Sequence, residues 1–454
     1  MKDKTQISIK DDDPSNADPG APQPFDSSPL VRNVTLRRPE SFASGERPTV
    51  SLHLLVKNGE SCLGRLLENV GPYLSEIVAV ANDCTDRTIP ILREYAEFRG
   101  SGFNLDIVEV THETKPELYI MDVPETYAAG EPLVGEVLEG PFTGEPLLAD
   151  WAGIRNLGFA RHTKEWRLFL DADDVVQDPE SIPGLCAALN EIDPENKIKV
   201  DLAASRYIYS LAEDGISRAD SFRERLVRNV PYITWFGVAH EVLHGQQKTV
   251  QIDGNLIVKD LKDSTGAKIR APGRCLKILY KNARENEWMV SPRNLIYLAM
   301  EACATMTDFA SSVLDLYLTL SLWPEERAWA CCMAGEIRES RNDYAAASEW
   351  YERALSEHPG SKSAYRLCRS RFYQNKWQAA VDAFRTGIEN KAVLQILDNG
   401  PVYEEMSKIL VASSLDKLGC VSEALTVCEE ALAAFPQNSA LRTMRDQLKA
   451  RRSR

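Results

Sequence analysis

The chain has 454 residues, with 53 Lys+Arg against 67 Asp+Glu and a formal net charge of −14 with histidines neutral, a balance that excludes a general polyanion binder and makes nucleic acid an unattractive partner. At 44% hydrophobic and 26% charged residues it can fill ordinary cores, and at roughly 150 residues per domain it suggests about three units. The ten cysteines include no CxxC pair and no Cys/His ligand spacing. With no transmembrane-length apolar run and no signal-like start, this predicts a reduced, cytoplasmic setting.

Residues 1–47 carry DDDPSNADPGAPQPFDSSP and RNVTLRRPE, few large apolar groups and no periodicity, so they read as a disordered leader. VSLHLLV (50–56) has the length and burial character of a strand, KNGE ends it, and SCLGRLLENVGPYL repeats apolar residues at helical spacing. EIVAVA (76–81) predicts a second strand, NDCTD a turn, RTIPILREYAEFRG a helix despite Pro90, and LDIVEV (105–110) a third strand. This alternation predicts parallel βαβ units whose ligands sit at the carboxyl ends of the strands. Residues 115–148, rich in Gly, Pro and Glu, are too long for a connector and read as an insertion or lid over that mouth.

DWAGIRNLGFARH (150–162) predicts a helix with Asp150 as N-cap. EWRLFLDADDVV (165–176) predicts a buried strand ending in acidic residues, and Asp178-Pro179 opens the next helix. DLAASRYIYSL, ERLVRN and TVQIDGNLIV read as later strands, which places a boundary at 272/273. Beyond it, NDYAAASEWYERALSEHP, NKWQAAVDAFRTGIENKA and GCVSEALTVCEEALAAFP align on Ala347, Ala380 and Ala424, spaced by 33 and 44 residues. Ala354, Gly387 and Ala431 follow in phase, with Tyr351 and Phe384 as large residues and Pro359 and Pro436 closing two units. This pattern over 273–454 resembles the tetratricopeptide repeat, in which small residues let paired helices approach closely.

Asp171, Asp173 and Asp174 follow the apolar WRLFL at once, and a D-x-D at a buried strand's end can hold a hard divalent cation that bridges two phosphates. Taken in order, VSLHLLVKNGE, EIVAVANDCTDRT, DWAGIRNLGFARHTKEWRLFLDADD and TWFGVAHEVL resemble the successive motifs of family 2 glycosyltransferases, particularly bacterial ones carrying tetratricopeptide repeats. The resemblance implies an α/β GT-A domain, a Rossmann-like mixed sheet over 48–272, followed by an all-α repeat domain. It implies a metal-dependent, inverting transfer from a nucleotide-sugar donor to a protein or glycan acceptor recruited by the repeats.

Laid on this sequence, the resemblance puts the nucleoside at Val56, Lys57, Asn58 and Glu60 and at the turn holding Asn82, Asp83 and Asp86. Arg155 would sit near the pyrophosphate, and Asp171 and Asp173 would hold Mg²⁺ or Mn²⁺, with His240 beside them. Glu241 is the expected catalytic base and Asp150 its reserve. The residues also admit plainer roles: Arg155 pairing with Asp150 on one helix, His240 and Glu241 as structural groups, Asp83 and Asp86 as turn formers. The turn departs from the family in having Ala81 and Asn82 where an acidic residue reads the base, and Asp83-Cys84 in place of Gly-Ser. His112 and His244 are left without a role.

Overall fold

The computed structural model describes residues 30–32, 48–120, 146–191, 200–211, 217–246, 248–253, 256, 258–260, 273–389 and 400–452. Two compact units, Met1–Glu285 and Asn286–Arg454, divide the chain.

The first unit opens with β1 (Leu30–Arg32), β2 (Val50–Val56), α1 (Glu60–Val70), β3 (Glu76–Asn82), α2 (Thr88–Arg99) and β4 (Asn104–Val110). β5 (Tyr119–Ile120) and β6 (Leu147–Leu148) pair antiparallel at the base of the expected lid, whose residues 121–145 lie outside the described residues. Then follow α3 (Trp151–Phe159), β7 (Trp166–Leu170), β8 (Asp174–Val176), α4 (Ile182–Glu191), β9 (Leu202–Leu211) and β10 (Ser217–Arg228). β11 (Thr234–Phe236), β12 (Val242–His244), β13 (Thr249–Asp253), β14 (Val258–Asp260) and α5 (Arg274–Glu285) complete it.

Among the described residues the main sheet runs β1–β13–β9–β10–β7–β2–β3–β4. β7, β2, β3 and β4 are mutually parallel, as the βαβ pattern predicts. β10 is the exception. It lies antiparallel to both β7 and β9, since the short connection from β9 allows a return but no crossover, and the sheet is mixed rather than parallel. β2, β3 and β7 read as apolar runs because both their faces are covered: Leu52, Leu54, Ile77, Trp166, Leu168 and Leu170 share one core with Leu63 and Leu66 of α1.

Three sequence expectations change. The acidic strand expected over 165–176 is two strands, because Asp174 Oδ2 accepts from the Asp171 backbone N–H at 2.9 Å and closes a turn, after which β8 pairs with β14. Within the expected leader, β1 pairs in parallel with β13, Leu30 opposite Gln251; the leader's other residues up to 47 lie outside the described residues. The boundary falls after Glu285, since α5 belongs to the first unit, where the Arg274 guanidinium lies 4.9 Å over the Trp151 ring.

The second unit is helical: α6 (Pro292–Ala302), α7 (Thr307–Leu320), α8 (Pro324–Ser340), α9 (Tyr344–Glu357), α10 (Ser361–Tyr373), α11 (Trp377–Glu389), α12 (Gly400–Lys417), α13 (Val421–Ala434) and α14 (Ser439–Arg452). Successive helices pack as pairs, α8 on α9, α10 on α11 and α12 on α13, and each pair packs on the next. The aligned Ala347, Ala380 and Ala424 all sit fully buried on the second helix of a pair. At Gly387 a Cβ would lie 2.2 Å from that of Ala364, so only glycine permits the α10–α11 approach. This is a helical repeat unit of the tetratricopeptide kind.

Candidate functional site

Because β2, β3, β4 and β7 are parallel, the segments after their carboxyl ends share one edge of the sheet. The first two are laced together. Asn58 Oδ1 accepts from the Thr85 N–H at 2.8 Å, Asp86 Oδ2 from the Glu60 N–H at 3.0 Å, and Glu60 Oε2 from the Arg87 N–H at 3.1 Å. Asp86 Oδ1 also accepts from the Thr88 N–H at 3.0 Å. The slight burial of Asp86 opposes ionisation, but bonds from Thr88 and Glu60 outweigh it and hold its carboxyl below the usual range. Asn58, Glu60 and Asp86, expected as donor contacts, therefore fasten loop to loop, and Val56 is buried strand. A Cβ on Gly59 would stand 3.5 Å from that of Ala172, an ordinary contact distance, so the first of these loops lies beside the acidic turn.

The Asn82-Asp83 turn is engaged as well. Asn82 Oδ1 accepts from the Tyr119 hydroxyl at 2.5 Å. Asp83, in the left-handed region at φ 46°, accepts through Oδ1 from both the backbone N–H (3.3 Å) and Nδ1 (3.2 Å) of His112, while Lys57 Nζ stands 4.0 Å from Oδ2. His112, which the sequence left without a role, is thus the turn's partner. Its place two residues past β4 was visible in the chain; its contact with β3's turn required the sheet.

Arg155, Glu241 and Asp171 form the centre. Arg155 Nε donates to Glu241 Oε1 at 2.7 Å, and Nη2 lies 3.9 Å from Asp171 Oδ1. The guanidinium sits 4.5 Å over the Phe169 ring and 5.1 Å over that of Trp235, and is only 6% exposed. Among the described residues its Nη1, which is buried, has no partner. Burial would raise the Glu241 carboxyl, but the Arg155 charge outweighs it and holds the group below the ordinary carboxylate range. A carboxylate in such a pair is a weak proton acceptor, which counts against the expected base role.

Asp150, the reserve base, caps α3, its Oδ1 accepting from the Gly153 N–H at 2.8 Å, and the ion pairs of Arg155 go to Glu241 and Asp171. Asp171 is 43% exposed and offers hard carboxylate oxygens, the ligand type that Mg²⁺ and Mn²⁺ take. His240 does not join the aspartates: Asp171, Asp173 and His240 fail to bring three ligand atoms within 4.8 Å of one another, and the His240 ring lies that close to the Cys275 sulfur instead. Asp174 is fully buried, with its carboxyl pushed up to about 7 by burial against the opposing charge of Arg225. The aromatic shelf of Phe169 and Trp235 and the supporting Arg225 escaped the sequence reading, since an aromatic in an apolar run reads as core until a cation is found on its face.

No family model matches the chain, and neither does any curated protein. Among solved structures it is similar to YrrB, a TPR protein with an unusual peptide-binding site, at 17% identity over 38% of this chain and 84% of that one, with a TM-score of 0.32. MamA is similar at 15% identity over 39% of this chain and 96% of its own, TM-score 0.31. The Arabidopsis OM64 TPR domain is similar at 12% identity, covering 28% and 98%, TM-score 0.24. At such scores the repeat character of the second unit stands on its own helix pairing. Among the described residues no helix is long and apolar enough to cross a membrane.

Proposed function

We propose that the first unit is a GT-A glycosyltransferase domain of the family 2 type, transferring a sugar from a nucleotide-sugar donor to an acceptor in the cytoplasm. The observation that carries this reading is Arg155: a buried guanidinium, fixed by Glu241 and an aromatic shelf beside an exposed aspartate, with one N–H group still lacking a partner. A buried donor without an acceptor is costly, and a diphosphate oxygen at that position would remove the cost. Asp171 and Asp173 would hold Mg²⁺ or Mn²⁺, which supplies charge stabilisation to a departing nucleoside diphosphate. Glu241 keeps Arg155 oriented, and Lys57 and the laced loops border the nucleoside end. The helical repeats would take the acceptor or a protein partner, because stacked helix pairs offer an extended surface.

A second reading is a transferase-like repeat adaptor without activity. Its support is the turn after β3, where Asn82 and Asp83 are bound by Tyr119 and His112 rather than presented to a base.

A thermal-shift series of sugar nucleotides with and without Mn²⁺ separates the two, since a ligand of the folded state raises its melting temperature. The transferase reading expects a shift requiring both nucleotide and metal and absent in Asp173→Ala, whose own melting temperature stays near wild type. No shift with any donor supports the adaptor.

A further inference from the structure

The three aspartates after β7 have different surroundings. Asp171 is half-exposed, while Asp174 is fully buried with both carboxylate oxygens turned to the protein. Its Oδ2 accepts from the Asp171 backbone N–H at 2.9 Å, and its Oδ1 accepts from the Tyr207 hydroxyl at 2.8 Å. Arg225 Nη2 stands 3.9 Å from Oδ2, and its guanidinium stacks over the Tyr207 ring at 4.4 Å and the Phe169 ring at 4.9 Å. β8, β9 and β10 each contribute one of these three side chains. Phe169 also carries Arg155, so Arg225, beside Asp174, and Arg155 share one aromatic ring.

We infer that Asp174 is the buried anchor of the acidic turn and that Tyr207 and Arg225 are positioning residues which, through it, set the affinity of Asp171 and Asp173 for a divalent cation. This rests on the metal-dependent reading above. The physical reason is preorganisation: a carboxylate fixed from below holds the preceding backbone N–H, so Asp171 and Asp173 need not be ordered when the ion arrives. Were Asp174 itself a ligand, Tyr207 and Arg225 would be its competitors, and weakening them would tighten the metal.

The test uses the full chain and Mn²⁺ with inorganic pyrophosphate, following free Mn²⁺ by electron paramagnetic resonance and metal-free pyrophosphate binding by calorimetry. Tyr207→Phe removes one hydroxyl and no charge. It should weaken Mn²⁺ about tenfold, the low end for removing an outer partner of a metal site, and leave metal-free pyrophosphate binding, which Arg155 provides, unchanged. Arg225→Lys keeps the charge but loses the planar fork and should weaken Mn²⁺ in the same direction. Unchanged or tighter Mn²⁺ binding in both variants overturns the inference. A wild-type chain that binds no Mn²⁺ overturns the metal-dependent reading itself and the inference with it.

Discussion

The same sheet carries two polar clusters, one at each end of its parallel strands, and they are finished differently. At the amino ends of β2 and β3, Glu76 is fully buried and accepts from Ser51 Oγ at 2.6 Å, Asn104 Nδ2 at 2.7 Å, and the Thr163 N–H at 2.9 Å. Because a carboxylate only accepts, the Ser51 proton points to Glu76, His162 Nδ1 donates to Ser51, and His53 Nδ1 donates to His162 Nε2 at 3.1 Å. With both rings neutral, the form that their burial favours, the chain of donors has one direction, and among the described residues His53 Nε2 is left over. At the carboxyl ends, Arg155 keeps an unused donor beside the partly exposed Asp171. The closed cluster spends its polar capacity on its own fold; the open one leaves capacity for something else.

The largest expected effect comes from breaking the closed end. Glu76→Gln turns an amide N–H₂ toward groups that need an acceptor, and should cost about 2–3 kcal/mol in urea unfolding. Asp173→Ala at the open end should shift the same unfolding curve by less than about 0.5 kcal/mol. Equal losses at the two ends would erase the distinction between a structural and a functional cluster.

A smaller effect comes from pH. Burial, then the His162, Arg155 and Arg167 charges, push His53 well below the ordinary 6.5, and burial lowers His162 despite the Glu76 carboxylate beside it. A histidine with a depressed folded value takes up protons more readily when unfolded. Its contribution is therefore complete above about pH 6.5 and is lost as pH falls below that, by up to about 1.4 kcal/mol per unit and group. The melting temperature should drop between pH 7 and pH 5, and the drop should be shallower in His53→Phe; identical slopes would remove His53 from the account. The Glu76 contribution persists to lower pH, since His162 beside it and the bonds from Ser51 and Thr163 outweigh its burial and hold its carboxyl far below normal.

The smallest effect concerns the leader. Deleting residues 1–45 removes the three-residue strand β1 from the edge of β13 and should lower stability by less than about 1 kcal/mol. A larger drop in melting temperature would make the leader a working part of the sheet.

The alternation of β2, α1, β3, α2 and β4, the N-cap role of Asp150 and the phase of the repeat alanines were legible along the chain, because each depends on local periodicity or on turn chemistry within a few residues. The Arg155–Asp171–Glu241 grouping was anticipated only as residue types along separate motifs. Partners 86 residues apart, such as Arg155 and Glu241, meet only when the sheet and the loop before β12 are in place.

The tertiary structure alone decided which carboxylates are available. Glu60, Asp86 and Asp174 carry the same oxygens as Asp171, yet groups far along the chain already supply them with donors. Sequence fixes the chemistry that a side chain can offer. Whether that offer remains open depends on how many partners the fold places around it, and the partners that close Glu60, Asp86 and Asp174 include groups 26 to 33 residues away in the chain.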